Sequence, residues 1–193
     1  MAQRIIAPLQ AADLSLRKLL VIDSPPTLFS PTVEVIRDGR RWGDKASFLS
    51  IGAGSAPRID HYGYEWSRPR RIGLVSFTSG FLDDATGWFA DLRVEYRDDR
   101  GDWRAVRNMD VDPPFPSGPG PYNKAHFAEY LFRFDAVDTS AIRIAGEVGA
   151  DGGLVKDPPR FTSISELAVY GPMDAPGPRP GQPGPEAATN RGK

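Results

Sequence analysis

Short runs in which apolar and polar residues alternate constrain the fold of this chain more than any other feature. In the run 92–96, the apolar residues Leu92, Val94 and Tyr96 are separated by an arginine and a glutamate. A period of two is typical of a β-strand that buries one face against a core. Turn residues separate the runs, and no strong amphipathic helix is found between them, so the pattern predicts an all-β fold, an antiparallel jelly-roll β-sandwich. Further short runs with β-branched and aromatic residues, some of them alternating, span residues 62–66, 72–77, 127–134, 142–144 and 164–170.

Composition excludes several classes of protein. The chain has 193 residues, a net charge of −1 and no cysteine. That length suits one domain with a real core, and the lack of cysteine excludes disulfides, cysteine-bound zinc and thiol nucleophiles. A near-neutral charge gives no basic surface for nucleic acid, because that binding depends on neutralising phosphates. No apolar run approaches the roughly 20 residues that cross a bilayer, so we expect neither a nucleic-acid partner nor a membrane span.

The two ends of the chain differ from its middle. Residues 1–22 have apolar residues near helical spacing, which predicts an N-terminal arm or a short helix. Residues 23–171 carry the strand pattern and form the predicted sandwich. From residue 172 to residue 193 proline and glycine alternate with almost nothing apolar, so this segment is predicted to be a disordered tail.

The connections between the predicted strands alternate strictly between short and long. If successive strands run antiparallel, alternate connections lie at opposite ends of the sandwich, and all long ones gather at one end. Loops longer than about 12–15 residues without secondary structure are uncommon unless they are functional. This end is therefore the predicted recognition surface. The long connections are residues 38–61, 79–90, 109–126 and 147–161.

Several segments, taken in order, resemble the motifs of discoidin or factor V/VIII type C domains. The runs YGYEWSRPRRI at 62–72 and GWFADLRVEY at 87–96 match a central strand pair and the hairpin that follows it. The runs AIRIAG at 141–146 and TSISELAVYG at 162–171 match the closing strands. The resemblance covers roughly residues 30–171 and implies a galactose-binding-like jelly roll. It also implies similarity to the family 32 carbohydrate-binding modules that accompany bacterial glycoside hydrolases.

The resemblance implies a non-catalytic module whose long loops bind a glycan or glycoconjugate. Related domains also bind lipid headgroups or proteins, so the ligand has to be argued from the site. The alternative is a structural or adhesive module that binds other protein subunits within a larger assembly, such as a phage or cell-surface particle. His61 and His126 are the only histidines, and no catalytic motif surrounds them, so we expect no enzyme activity. We expect an extracellular or surface location, although the first 22 residues lack the order of a secretory signal.

Candidate ligand residues are aromatic and polar side chains in or beside the long loops. Aromatic rings pack against the apolar faces of sugars, while amide, imidazole and guanidinium groups bond to hydroxyls. Trp88 follows Gly87 shortly before a predicted strand, so it is equally well interpreted as a lid over the core. The predicted set is Trp88, Tyr122, Asn123, His126, Arg58 and Trp42.

The resemblance further implies a structural calcium ion. Carried over by motif, its side-chain ligands are Asp38 and Glu166, with backbone carbonyls completing the six to eight oxygens that calcium needs. Arg40 departs from the family pattern, in which a small oxygen-bearing residue stands at that place. The alternative is that Asp38 opens a turn with Gly39 and that Glu166 pairs with an arginine.

Overall fold

The described part of the chain in this computed structural model is almost entirely β-structure, as the alternating pattern predicts. It contains nine strands and one short 3-10 helix, Val33–Arg37. The structure describes residues 17–21, 33–40, 47–49, 59–82, 86–116, 126–150 and 161–172. The strands are β1 Arg17–Val21, β2 Phe48–Leu49, β3 Ile59–Ser79, β4 Thr86–Phe89, β5 Arg93–Arg97, β6 Trp103–Ala105, β7 Asp110–Asp112, β8 Glu129–Ala150 and β9 Ser163–Tyr170.

Two long antiparallel strands, β3 and β8, organise the whole fold. Their pairing shifts register between Glu65 and Arg70, which divides each strand into two halves. The first half of β3 and the second half of β8 pair with β1 and β5, and β6 pairs with β5. The remaining halves pair with β9 and β7, and β2 pairs with β9. Two sheets therefore share β3 and β8, which pass from one sheet to the other at the register shift.

The core lies between these two sheets. The rings of Tyr62 on the first sheet and Phe48 on the second meet edge to face, with 6.2 Å between centroids. The Tyr64 hydroxyl donates to the Leu167 carbonyl across the sandwich at 2.5 Å. All four residues are buried, so the halves of β3 face each other and the predicted β-sandwich is confirmed. The alternating run is confirmed as well, since Leu92 and Val94 are buried and Tyr96 packs against the core.

The sequence placed turns at 66–72 and 134–142, and the structure corrects both. Each stretch lies inside one continuous strand, β3 or β8, that bends where the pairing slips. Pro69 stands at the slip in β3 and has no N–H to give to the ladder, which accounts for the interruption there. A local change of register also increases strand twist, so the strand turns a corner without ending.

The structure describes five residues of the segment that was predicted to be an N-terminal arm or a short helix. Residues 17–21 are extended rather than helical, because their backbone pairs antiparallel with β3, from Arg17 beside Trp66 to Val21 beside Tyr62. The rest of the predicted arm, and the predicted tail apart from Pro172, lie outside the described residues. In the described ranges, no helix is long and apolar enough to cross a membrane.

The strand ends that flank the long connections lie at one end of the sandwich. Ile59, at the start of β3, pairs with Glu147 near the end of β8, and Ser79, at its end, pairs with Ile164 near the start of β9. The bend in β3 brings these two ends together, and the hydroxyl of Tyr62 lies 2.8 Å from that of Thr162 across the sandwich. This loop end, comprising the described residues 79–82, 86–92, 112–116, 126–128 and 161–163, holds the described candidate ligand residues.

Candidate functional site

The chain leaving β3 is fixed at the loop end by its own backbone. Four consecutive N–H groups, those of residues 79–82, each donate a hydrogen bond to a residue elsewhere in the chain. The acceptors are, in order, the carbonyls of Ala128 and Ser163, the Ser47 hydroxyl and Nδ1 of His126, at 2.9, 3.1, 3.0 and 3.1 Å. Because three separate segments hold them, at Ser47, at residues 126–128 and at Ser163, these residues form an anchored base at the loop end.

His126 and Phe81 form an aromatic and polar pair on this base. Nδ1 of His126 accepts the Leu82 N–H, so the proton of the neutral ring sits on Nε2, which remains a donor. The His126 residue is exposed, and its ring centroid lies 5.3 Å from that of the half-buried Phe81, with the planes tilted by 50°. A hydrogen-bond donor therefore stands beside an aromatic ring, a combination that can bond to a hydroxyl and pack against an apolar face of the same ligand.

Trp88 occupies the interior, not the loop surface. The residue is 4% exposed, and a Cβ built on Gly149 would lie 2.0 Å from its Nε1. The indole therefore lies directly against the β8 backbone and offers no exposed ring to a ligand. This placement favours the alternative interpretation of Trp88 as a lid over the core.

A pocket with about 280 Å³ of empty space, open solvent included, lies beside Ser79 and Leu82. Its walls include Phe77, Leu82, Trp88, Phe115 and Tyr130. Most of these aromatic residues belong to the core or pack against it. We therefore assign the pocket to imperfect packing beneath the loop end rather than to recognition.

The positions of the other four predicted ligand residues relative to Phe81 and His126 are not described. Trp42, Arg58, Tyr122 and Asn123 lie outside the described residues. Phe81 was absent from the predicted set. Its signal is modest: it is an aromatic residue placed directly after Gly80, where a buried run ends and a long connection begins.

The outer face of the first sheet carries a second polar cluster. Glu95 accepts hydrogen bonds from Arg93 at 2.7 Å and from Arg143 at 2.8 Å. The Arg143 guanidinium also stacks on Trp103, with its carbon 4.0 Å from the ring centroid. Burial and the nearby charge of Arg143 lower the pKa of His61, which shares this face. Because these charges pair with one another, the cluster stabilises the sheet face.

The predicted calcium residues lie close together beside β9. Gly39 N–H donates to Oε2 of Glu166 at 3.1 Å, and Arg40 N–H donates to Oδ1 of Asp38 at 2.8 Å. The Ser165 hydroxyl donates to the Arg40 carbonyl at 3.3 Å. Asp38 is exposed and Glu166 is 6% exposed, so the segment 38–40 contacts a buried carboxylate through its backbone.

Comparison with known proteins identifies the fold. A scan of protein-family models and a search of curated proteins each found no match to this chain. Among solved structures, a chain of the β-galactosidase BgaA from Streptococcus pneumoniae has a TM-score of 0.59 at 14% identity, covering 82% of this chain and 99% of that one. CpGH89CBM32-5 from Clostridium perfringens, solved with GalNAc-β-1,3-galactose, has 0.54 at 11% identity, with coverages of 80% and 94%. The chain has the family 32 carbohydrate-binding module fold.

A third neighbour supports the same conclusion. The family 32 module of NanJ from C. perfringens, solved with galactose, has a TM-score of 0.52 at 16% identity and covers 80% of this chain and 93% of that one. The fold implied by the sequence resemblance is therefore confirmed. The identities of 11–16% establish the fold of family 32 modules and leave the ligand to be argued from the side chains.

The calcium ion that the family 32 resemblance implies does not fit the groups described at Asp38 and Glu166. Calcium takes six to eight oxygen ligands. Here a backbone N–H donates to each carboxylate and the Ser165 hydroxyl donates to the Arg40 carbonyl, so the described contacts are those of a hydrogen-bonded turn. Within the described ranges, no three histidine, cysteine or acidic side chains group in a way that could hold a metal ion.

Proposed function

We propose that this chain is a non-catalytic carbohydrate-binding module whose loop end recognises a glycan through Phe81 and His126. The observation that carries the proposal is the fixed imidazole. Its Nδ1 is held by the Leu82 N–H, so the Nε2–H donor keeps one direction beside the Phe81 ring.

The chemistry of a sugar matches this pair. One face of a pyranose presents C–H groups, which pack on the Phe81 ring, while a neighbouring hydroxyl accepts the Nε2–H of His126. A site that is already ordered loses less entropy when it binds, and the four anchored N–H groups of residues 79–82 provide that order. The connections that hold Trp42, Arg58, Tyr122 and Asn123 flank these strand ends, and we propose that these side chains complete the site.

The absence of catalysis forms part of the proposal. His126 is engaged with a backbone N–H and His61 lies on the outer face of the first sheet, so the two histidines do not form a catalytic pair. Neighbours of the same fold include modules solved with a sugar bound. Glycans that binding modules recognise are found outside cells or on cell surfaces, so we propose that location for the chain.

A glycan array with matched variants tests the proposal. In His126→Asn the side-chain oxygen still accepts the Leu82 N–H but no donor remains at the Nε2 position, whereas His126→Gln keeps a donor near that position. We expect Phe81→Leu and His126→Asn to weaken binding about tenfold or more, equivalent to about 1.4 kcal/mol, and His126→Gln to retain more of it. Arg100→Ala, in the turn at the opposite end of the sandwich, is the control and should bind like the wild type.

Two results would contradict this function. An array without signal from a chain that melts cooperatively would remove the glycan proposal and favour the protein-binding alternative. Binding that survives both Phe81→Leu and His126→Asn would retain the module but move its site away from this pair.

A further inference from the structure

We infer that the hydrogen bonds of Glu166 and Ser165 fasten the segment 38–40 to β9, and that this anchor works without a metal ion. The inference rests on the polarity of the groups that meet there. A cation site gathers oxygen lone pairs around one point. At this place, by contrast, N–H groups approach the carboxylates and a hydroxyl approaches a carbonyl.

The anchor has two contact points on one strand. Glu166 accepts the N–H of Gly39, while its neighbour Ser165 donates to the carbonyl of Arg40. Adjacent residues of β9 therefore bind adjacent residues of the segment, one as acceptor and one as donor. This arrangement fixes both the position and the direction of the backbone as it enters the connection that contains Trp42.

The local sequence explains why the backbone takes this shape. Gly39 has a φ of +80° with no neighbouring atom within 4 Å of a built Cβ, so the position needs glycine for its conformation and not for space. Asp38 completes the turn by accepting the Arg40 N–H, an Asx turn in which the aspartate acts as a local cap. This geometry directs the Gly39 N–H toward the Glu166 carboxylate.

Burial makes the contact with Glu166 important. A carboxylate that is 6% exposed needs compensating partners, because removing an ion from water is costly. A backbone N–H bonded to a charged acceptor is stronger than a neutral hydrogen bond. In the inferred anchor, the Gly39 N–H offsets part of the cost of removing the Glu166 carboxylate from water. In a metal site, a bound cation offsets that cost.

Amide substitutions distinguish the hydrogen-bond anchor from a calcium site. A glutamine at position 166 still accepts an N–H through its side-chain carbonyl, but it removes the charge that a calcium ligand needs. We expect Glu166→Gln and Asp38→Asn to melt within about 2 °C of the wild type, and Glu166→Ala to melt roughly 3–10 °C lower. The melting temperature of the wild type should be the same in excess chelator and in millimolar calcium. Asp138→Asn, an exposed carboxylate paired with Arg71, is the matched control.

Two outcomes would overturn the inference. One is a wild-type melting temperature that rises with calcium, where Glu166→Gln abolishes the rise. The other is a Glu166→Gln variant as unstable as Glu166→Ala in the absence of any calcium effect. If Glu166→Ala does not fold, hydrogen exchange of the Gly39 amide provides the test. Protection of this amide in both the wild type and Glu166→Gln, unchanged by chelator, supports the anchor. Loss of protection when chelator is added refutes it.

Discussion

Replacing Trp88 with alanine tests whether this side chain holds the fold together or contacts a ligand. If Trp88 were an aromatic residue on a loop surface, replacing it would remove ligand binding and leave the fold intact. The structure buries the residue to 4% exposure, against Gly149 of β8. We therefore predict that Trp88→Ala destabilises the chain before it affects any ligand.

The size of the effect follows from the buried surface. A buried tryptophan removes about 150–250 Å² from water, which at about 25 cal/mol per Å² corresponds to about 4–6 kcal/mol. Some of this is retained by alanine and by relaxation of the cavity, and core tryptophan-to-alanine changes cost about 3–5 kcal/mol. We expect a loss of about 4 kcal/mol in the free energy of unfolding. Since whole domains are stable by about 5–15 kcal/mol, this is a large share of the total.

The matched variant is Trp88→Phe. Phenylalanine keeps most of the apolar surface and removes the buried indole N–H, which has no hydrogen-bond partner among the described residues. An unsatisfied buried donor costs about 1–3 kcal/mol, so its loss offsets part of the lost packing. We expect Trp88→Phe to unfold within about 1.5 kcal/mol of the wild type.

Urea denaturation followed by circular dichroism measures all three proteins without depending on tryptophan fluorescence. The denaturation midpoint of Trp88→Ala should fall sharply, with an unchanged slope. A Trp88→Ala variant whose free energy of unfolding lies within about 1 kcal/mol of the wild-type value would refute the interior placement. Replacing a core tryptophan with alanine typically costs about 3–5 kcal/mol. That result would return Trp88 to the list of surface ligand contacts.

Two further predictions concern contacts outside the loop end. Tyr64→Phe removes the hydroxyl that joins the sheets at the Leu167 carbonyl, and urea denaturation should show a loss of about 1–2 kcal/mol; an unchanged midpoint would contradict this. Burial raises the pKa of Glu95, but hydrogen bonds from Arg93 and Arg143 outweigh it and lower the pKa overall. Its ionised form therefore stabilises the fold above the ordinary glutamate pKa of 4.5, and this stability is lost as the pH falls below that value. Denaturation at neutral and acidic pH should show a smaller acid loss in Glu95→Gln than in the wild type, and equal losses would contradict it.

The fold could be predicted because its information is local. The alternation of Leu92, Val94 and Tyr96 identifies a strand and its buried face without any knowledge of the partner strands. The continuity of β3 could not be predicted in this way. Pro69 and its neighbours have the composition of a turn, and only the pairing of both halves with the same strand, β8, shows that the chain bends instead of ending.

The candidate site was less predictable, for a physical reason. Trp88 is buried against Gly149, a contact between distant parts of the chain that no local pattern contains. The orientation of His126 depends on the Leu82 N–H, and every residue except proline has such a group. Sequence could therefore propose His126 as a polar group of the loop end, but it could not pair His126 with Phe81.

The backbone beside His126 supports a functional reading of that pair. Phe127 has a φ of +55°, in the left-handed region that a bulky residue seldom adopts. Such a conformation costs about 1 kcal/mol or more and persists only where the surroundings enforce it. The surroundings here are the Phe127 N–H bonded to the Gly80 carbonyl and the His126 ring bonded to Leu82, so both contacts hold the chain against the segment that carries Phe81. The strained turn thus keeps His126 beside Phe81, which is the geometry that the proposed recognition of a sugar requires.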